Sequence, residues 1–334
     1  MNPRLLNNVA MAAPSLSRRD FIVGVGAAAS LLVLGQTAGA AATPRLPAID
    51  THVHFYNPGK MRSRSPWAAQ SPARSESPAD FMRLASPAGV VGMVVIEAIE
   101  SEREIEDNQW ILDEARRNPA IVGYIGRLEL EAPDFSRQLN RFAANAVFRG
   151  IRPRRQFADL AGCMSDPSFH RGLGLLTDRG LIFESGGPPA AIPTLTKLSR
   201  RYPDLRIVFE HLPLIDSSEE KPDELRSVLA EAAAQPNIYA KVSHIMRTHD
   251  GRPIFDPAVY RPGLDALFSL FGPDRVMYGS DWPKPSTITS YETIHRLAAD
   301  YVLPLGPSGA ANFFWRNCMA AYRLSPERVE PIVT

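Results

Sequence analysis

From residue 46 onward the chain alternates short apolar runs with amphipathic segments, and this alternation restricts the fold more than any other feature. The runs are Ala48–Phe55, Val90–Ala98, Ile121–Leu128, Val147–Arg152, Leu181–Ser185, Arg206–His211, Ile238–Ser243 and Val276–Ser280. Each has strand length and is bounded by Gly, Pro or Asp. Between them lie the helical patterns Glu104–Asn118, Phe135–Ala146, Phe169–Arg179, Pro189–Arg201, Glu224–Ala234 and Tyr260–Leu270. Eight strand–helix repeats predict an α/β fold of a single domain, a TIM-type (β/α)8 barrel. An open doubly wound sheet lacks support, because no Gly-x-Gly-x-x-Gly follows the first strand. The 30 prolines sit mostly in the connections, where a missing N–H breaks no ladder.

Residues 1–40 stand outside the pattern. Ser17-Arg18-Arg19-Asp20-Phe21-Ile22 places two arginines before an apolar run from Phe21 to Leu34, and Ala38-Gly39-Ala40 follows. This reads as a twin-arginine signal peptide and predicts a periplasmic protein whose barrel spans 41–334. The run is short for about 30 Å of hydrocarbon, so no stable membrane span is expected once the signal is removed. An uncleaved N-terminal anchor is the alternative.

The whole chain, 334 residues, carries 37 basic against 36 acidic side chains, a formal charge of +1. That balance argues against nucleic acid as a partner and leaves a small molecule. With Cys163 and Cys318 as the two cysteines there is neither a disulfide scaffold nor a Cys-rich zinc site, although the pair has the option of bonding in an oxidising compartment. Oligomeric state is not legible. Two further segments are expected to shape the barrel. The stretch 57–79, with four prolines and five serines, is a loop after strand one, either a lid or an exposed insertion. The stretch 307–324 reads as a closing helix.

In a barrel, side chains at the C-terminal strand ends converge on one pocket. Strand one ends in His52-Val53-His54, and a period of two points both imidazoles to one face. Strand six ends in His211, and Asp281 follows strand eight. Such a set either binds a divalent metal and activates water, or polarises a carbonyl directly while Asp281 acts as general base. His244 follows strand seven, where a loop role is favoured over one facing the pocket, and His170, His249 and His295 are expected in structural roles. Arg127, Arg152 and Arg247 lie at or beyond strand ends, where a guanidinium holds a carboxylate by two charge-assisted bonds. Glu97 and Glu184 are expected near the same cavity, to orient histidines, accept from ligand hydroxyls or neutralise the arginines.

With these residues in place, the chain resembles the lactonase branch of the amidohydrolase superfamily, the branch of 2-pyrone-4,6-dicarboxylate lactonase, 4-sulfomuconolactone hydrolase and fuconolactonase. The resemblance runs through Ile49-Asp50-Thr51-His52-Val53-His54, Asp107-Asn108, Arg149-Gly150-Ile151-Arg152, Pro203–Leu212, Asn237–Ser243, Phe271–Pro283 and Asn317. It implies a hydrolase of lactone esters in which His52, His54 and His211 surround the carbonyl and Asp281 deprotonates water. It also implies that Arg152 and Arg247 hold a substrate carboxylate. A bridging Lys on strand four and a His on strand five, the mark of binuclear members, are missing here. The expected cofactor is therefore none or one divalent metal, zinc foremost, held by His52, His54, His211 and Asp281. Leu212-Pro213-Leu214-Ile215, Pro153, Glu97 and Glu184 depart from the branch and suggest different acyl or hydroxyl contacts, so that the expected substrate is an acidic or a sugar-type lactone. The rivals are a lactone isomerase or a metal-dependent decarboxylase on the same barrel, and a periplasmic binding protein that has lost catalysis.

Overall fold

The computed structural model describes residues 46–55, 77–97, 104–153, 155–186, 188–211 and 222–333. The chain divides into Met1–Thr43 and Pro44–Thr334, and the second unit is the barrel. The expected export signal lies outside the described residues, and so does the expected lid up to residue 76.

Eight strands follow one another in hydrogen-bonded order: β1 (Ala48–Val53), β2 (Val90–Ile96), β3 (Ile121–Gly126), β4 (Phe148–Ile151), β5 (Ile182–Ser185), β6 (Ile207–Phe209), β7 (Ile238–Val242) and β8 (Val276–Tyr278). Every pairing from β1 through β8 is parallel. A bridge from Val53 to Trp282 closes β8 onto β1. All eight strands lie where the apolar runs predict them, but several end earlier. Arg152, His211 and Asp281 therefore stand just past their strands, in irregular backbone.

The period of two sorts each strand between two cores. Ile49, Val94, Ile96, Ile182, Val208, Tyr239 and Met277 fill the barrel interior. Their chain neighbours Ala48, Met93, Val95, Phe183, Ile207, Ala240 and Val276 pack outward in the layer beneath the helices. The interior is sealed by the chain's end, since Cys318, Ala321, Tyr322, Leu324 and Val329 join the inner core. The expected closing helix is real, with one irregularity: Gly306–Ala311 and Asn317–Tyr322 are α-helical, and Asn312–Arg316 between them is a π turn. Asn317 anchors it by donating to the carbonyls of Pro273 and Val276 at 2.7 and 2.8 Å. Cys163 and Cys318 are buried free thiols.

Several prolines initiate helices instead of interrupting connections. Ser77-Pro78, Asp166-Pro167 and Asp256-Pro257 each place an N-cap side chain before a proline at the first helical position. The first of these corrects the expected loop, whose last residues 78–79 already belong to the helix Pro78–Ala85, with Ser77 as its N-cap. Ser77 and Asp80 form a capping box there, a signal readable as Ser-x-x-Asp. After β7 a short hairpin, Thr248–His249 against Arg252–Pro253, adds a second, two-stranded sheet. No helix among the described residues is long and apolar enough to cross a membrane.

Candidate active site

At the C-terminal end of β1, His52 and His54 turn their Nε2 atoms toward each other at 3.1 Å. Asp281 Oδ1 stands 3.4 Å from both nitrogens, and His211 Nε2 lies 4.0 Å from the same oxygen. Four residues from three strand ends are thus gathered as the sequence predicts. Gly279 makes this close approach possible, because a Cβ there would come within 2.8 Å of the His52 Cβ.

The backbone is unusual at the same place. His211, His244 and Asp281 have φ of 51°, 54° and 65°, three of the five left-handed non-glycine residues among those described. Each such residue costs about 1–2 kcal/mol. Strain of this kind gathers where a side chain must be aimed off the regular path of the strand.

His54 Nδ1 lies 2.9 Å from the Ile96 carbonyl, an acceptor only, so His54 donates from Nδ1. His52 Nδ1 is 3.2 Å from Glu210 Oε2. Burial drives the protonation of His52 well below the ordinary range, reinforced by Lys241 and the neighbouring imidazoles. Burial also lowers His211, to about 4, against the pull of Asp281 and Glu210. Burial by itself raises the Asp281 carboxyl, but His211, His244 and His54 outweigh it and hold it well below the carboxylate range. At neutral pH His52 and His211 are therefore neutral beside an ionised Asp281.

Beneath the cluster the charges are paired. Lys241, fully buried, donates to Glu184 and to the Thr51 carbonyl, the latter at 2.8 Å. Tyr322 of the closing helix donates to the other Glu184 oxygen at 2.9 Å. Glu184 thus does not meet a ligand as expected; both its oxygens are committed below the mouth. Arg152 corrects a second expectation. Its Nε donates to Glu210 and its Nη1 to Glu97 at 2.9 Å, so the guanidinium expected to hold a substrate carboxylate already holds two from the protein. Burial opposes its charge, but Glu210 and Glu97 reverse that and raise its pKa. Glu97 plays the neutralising role among those expected for it.

Arg127 is turned to Glu129, at 3.7 Å, and lines a separate cavity of about 90 Å³ with Asp134 and Gln138. Asn108 grips its backbone, accepting from Arg127 N–H at 3.0 Å and donating to Arg127 O at 2.8 Å, which accounts for the Asn of the Asp107-Asn108 motif. Arg247 is half-buried on the loop after β7, its N–H donating to the Tyr260 hydroxyl at 3.1 Å. The structure brings His244 to the pocket, the less favoured of the two roles its sequence position leaves open. Its Nδ1 lies 2.8 Å from Asp281 Oδ2, and its partly exposed ring faces His211. A histidine two residues past a barrel strand was the available signal. His170, His249 and His295 lie away from the cluster in helices or the hairpin, as expected.

The donor set fits a divalent cation. His52, His54 and Asp281 offer ligand atoms within reach of one another, and His52, Glu210 and His211 form an overlapping group. Two nitrogens on one tetrahedral zinc stand about 3.3 Å apart, given bonds of about 2.0–2.1 Å, close to the 3.1 Å between the two Nε2 atoms. Among the described residues, five buried carboxyl groups (Asp50, Glu97, Glu184, Glu210 and Asp281) meet two buried cations at this site, Arg152 and Lys241. A divalent ion held there would offset that excess.

A parallel barrel with imidazoles and a carboxylate converging at its C-terminal mouth defines an acid–base or metal-assisted enzyme. A family model described as Amidohydrolase matches residues 49–324, and the chain belongs to that family. The chain is 30% identical over 241 residues to L-fucono-1,5-lactonase of Burkholderia ambifaria, covering 70% of this chain and 80% of that one. It is 24% identical over 292 residues to L-fucono-1,5-lactonase of Burkholderia multivorans, covering 84% and 96%. Among solved structures, an amidohydrolase from Burkholderia multivorans with bound zinc superposes with a TM-score of 0.74 at 22% identity, over 84% of this chain and all of that one. A probable 2-pyrone-4,6-dicarboxylic acid hydrolase from Acinetobacter baumannii, with citric acid bound, gives 0.64 at 16%, over 84% and 100%. These likenesses establish the fold.

Proposed function

We propose that the protein is a hydrolase that opens a neutral, hydroxyl-rich lactone. The observation that carries this reading is the convergence of Asp281 with His52, His54 and His211 at the barrel mouth. Asp281, kept ionised, accepts the proton of the attacking water. The imidazoles favour negative charge on the lactone carbonyl oxygen as the tetrahedral centre forms. His244 holds the second Asp281 oxygen and keeps the first aimed at the cluster. When bound by His52, His54 and Asp281, with His211 adjacent, a divalent ion such as zinc supplies Lewis acidity and lowers the pKa of water.

The pairing of Arg152 supports this substrate class. With its guanidinium engaged by Glu97 and Glu210, this side chain offers no carboxylate clamp. The fuconolactonases among the relatives support a sugar-type lactone. Hydrolysis of a panel of aldonolactones and carboxylated lactones, with Asp281→Asn in parallel, tests the reading. The expected result is turnover of neutral sugar lactones and its loss in Asp281→Asn without loss of fold. Near-wild-type activity in that variant overturns the mechanism. The same reading places the enzyme in the periplasm, on the strength of Arg18-Arg19 and the apolar run behind them. Fractionation of cells carrying Lys at both positions tests it, with retention in the cytoplasm expected.

A further inference from the structure

The barrel is stitched unevenly. Neighbouring strands from β1 through β8 share parallel ladders, whereas β8 and β1 meet through the isolated bridge of Val53 and Trp282. This sparse seam carries both halves of the site, with His52 and His54 on the β1 side and Asp281 on the β8 side. His54 N–H donates to Trp282 O at 2.8 Å, Asp281 N–H to His52 O at 2.9 Å, and the Thr51 hydroxyl to Tyr278 O.

Asp50 sits just below. It is fully buried, and its Oδ1 accepts from the backbone N–H of His52 at 3.0 Å and of Ser280 at 2.9 Å. Its Oδ2 accepts from the Tyr291 hydroxyl at 2.9 Å, which fixes the carboxylate to the helix Tyr291–Val302. One oxygen therefore joins the backbone of a cluster histidine to the residue before Asp281. Buried N–H groups require partners, and where a ladder is missing a side chain must supply them.

We propose that Asp50 is a positioning residue that clamps the β1–β8 seam and thereby sets the separation of His52 and His54 from Asp281. Sites of this kind work within about 0.5 Å of their productive geometry, and the 3.4 Å contacts of Asp281 span the seam that Asp50 holds. The clamp acts through acceptor geometry. Asn keeps an oxygen at the Oδ1 position, Ala removes it, and Glu pushes it one methylene outward.

The test compares Asp50→Asn, Asp50→Ala and Asp50→Glu by zinc affinity, from competition with a chelator, and by kcat and KM for lactone hydrolysis. The activity arm rests on the proposed function; the zinc arm does not. A wild type that binds zinc but opens no lactone defeats the functional reading and leaves the clamp to be judged by zinc alone. The expected result is Asp50→Asn within about threefold of wild type in both readouts. Folded Asp50→Ala or Asp50→Glu should weaken zinc binding by about 10–100-fold and lower kcat by a similar factor, with KM little changed. The proposal is overturned if Asp50→Asn falls as far as Asp50→Ala, or if Asp50→Ala folds and matches wild type. Failure of both Asp50→Ala and Asp50→Glu to fold, or a wild type that neither binds zinc nor opens a lactone, overturns it as well.

Discussion

His244 Nδ1 lies 2.8 Å from Asp281 Oδ2, while Asp281 Oδ1 faces His52 and His54 at 3.4 Å. The carboxylate is thus held from one side by a partly exposed imidazole and offers its other oxygen to the cluster. A hydrogen bond to an ionised acceptor is among the stronger kinds, and it fixes the direction of the free lone pairs. Replacing His244 by Ala is expected to lower kcat about 10–100-fold while KM and the melting midpoint stay close to wild type. Steady-state kinetics on a lactone that the wild type turns over, alongside thermal denaturation, checks both halves.

Arg152 joins Glu97 and Glu210 in the site wall. Removing the cation leaves two carboxylates buried without it, a loss of on the order of 3–5 kcal/mol. Arg152→Met is therefore expected to shift the urea midpoint strongly downward. A loss below about 1 kcal/mol would show that the pairing contributes little.

The surplus of carboxylates over cations predicts a response to metal. Exhaustive chelation should lower the melting temperature, and added zinc should restore it. Saturation at about a hundred times Kd contributes about 2.7 kcal/mol. Asp281→Asn removes one ligand and one negative charge, so its melting temperature should respond far less to zinc. Equal responses in the two proteins would place the ion elsewhere.

His295 provides an acid-stability prediction remote from the chemistry. Its ring stacks on Phe314 and Tyr291, its Nε2 is buried without a hydrogen-bond partner, and burial lowers its pKa to about 4. The unfolded chain binds this proton near 6.5 and the folded one only near 4, so stability is full above 6.5 and falls as pH drops between these values. The loss approaches roughly 3 kcal/mol below pH 4. His295→Phe should remove that component. Denaturant titrations at pH 7 and pH 4.5 should show a smaller difference for the variant than for wild type.

Much of this was legible in the residue order. The eight apolar runs name the strands, because a parallel strand covered on both faces must be apolar along its length. The His-x-His of β1 names its own geometry, since a period of two cannot place the rings on opposite faces. His211 and Asp281 follow from standing at the matching ends of their strands. His244 was not legible in the same way. Its ring reaches Asp281 from a left-handed backbone, and nothing local announces that conformation in a non-glycine residue.

The charged residues mark the division most clearly. The order of residues determined that arginines and carboxylates would collect at one mouth, because the barrel brings all its strand ends together. It did not determine who pairs with whom. Arg152 meets Glu97 of β2's end and Glu210 of β6's end, partners 55 and 58 residues away, and Lys241 meets Glu184 across 57. Ion pairing depends on separations of a few ångströms, set by strand stagger and by where each strand stops. The sequence alone therefore determined the barrel and the chemistry of its mouth. The tertiary structure decided which charges were spent inside the protein and which remained for a ligand, since that choice is made by distance and burial rather than by residue type.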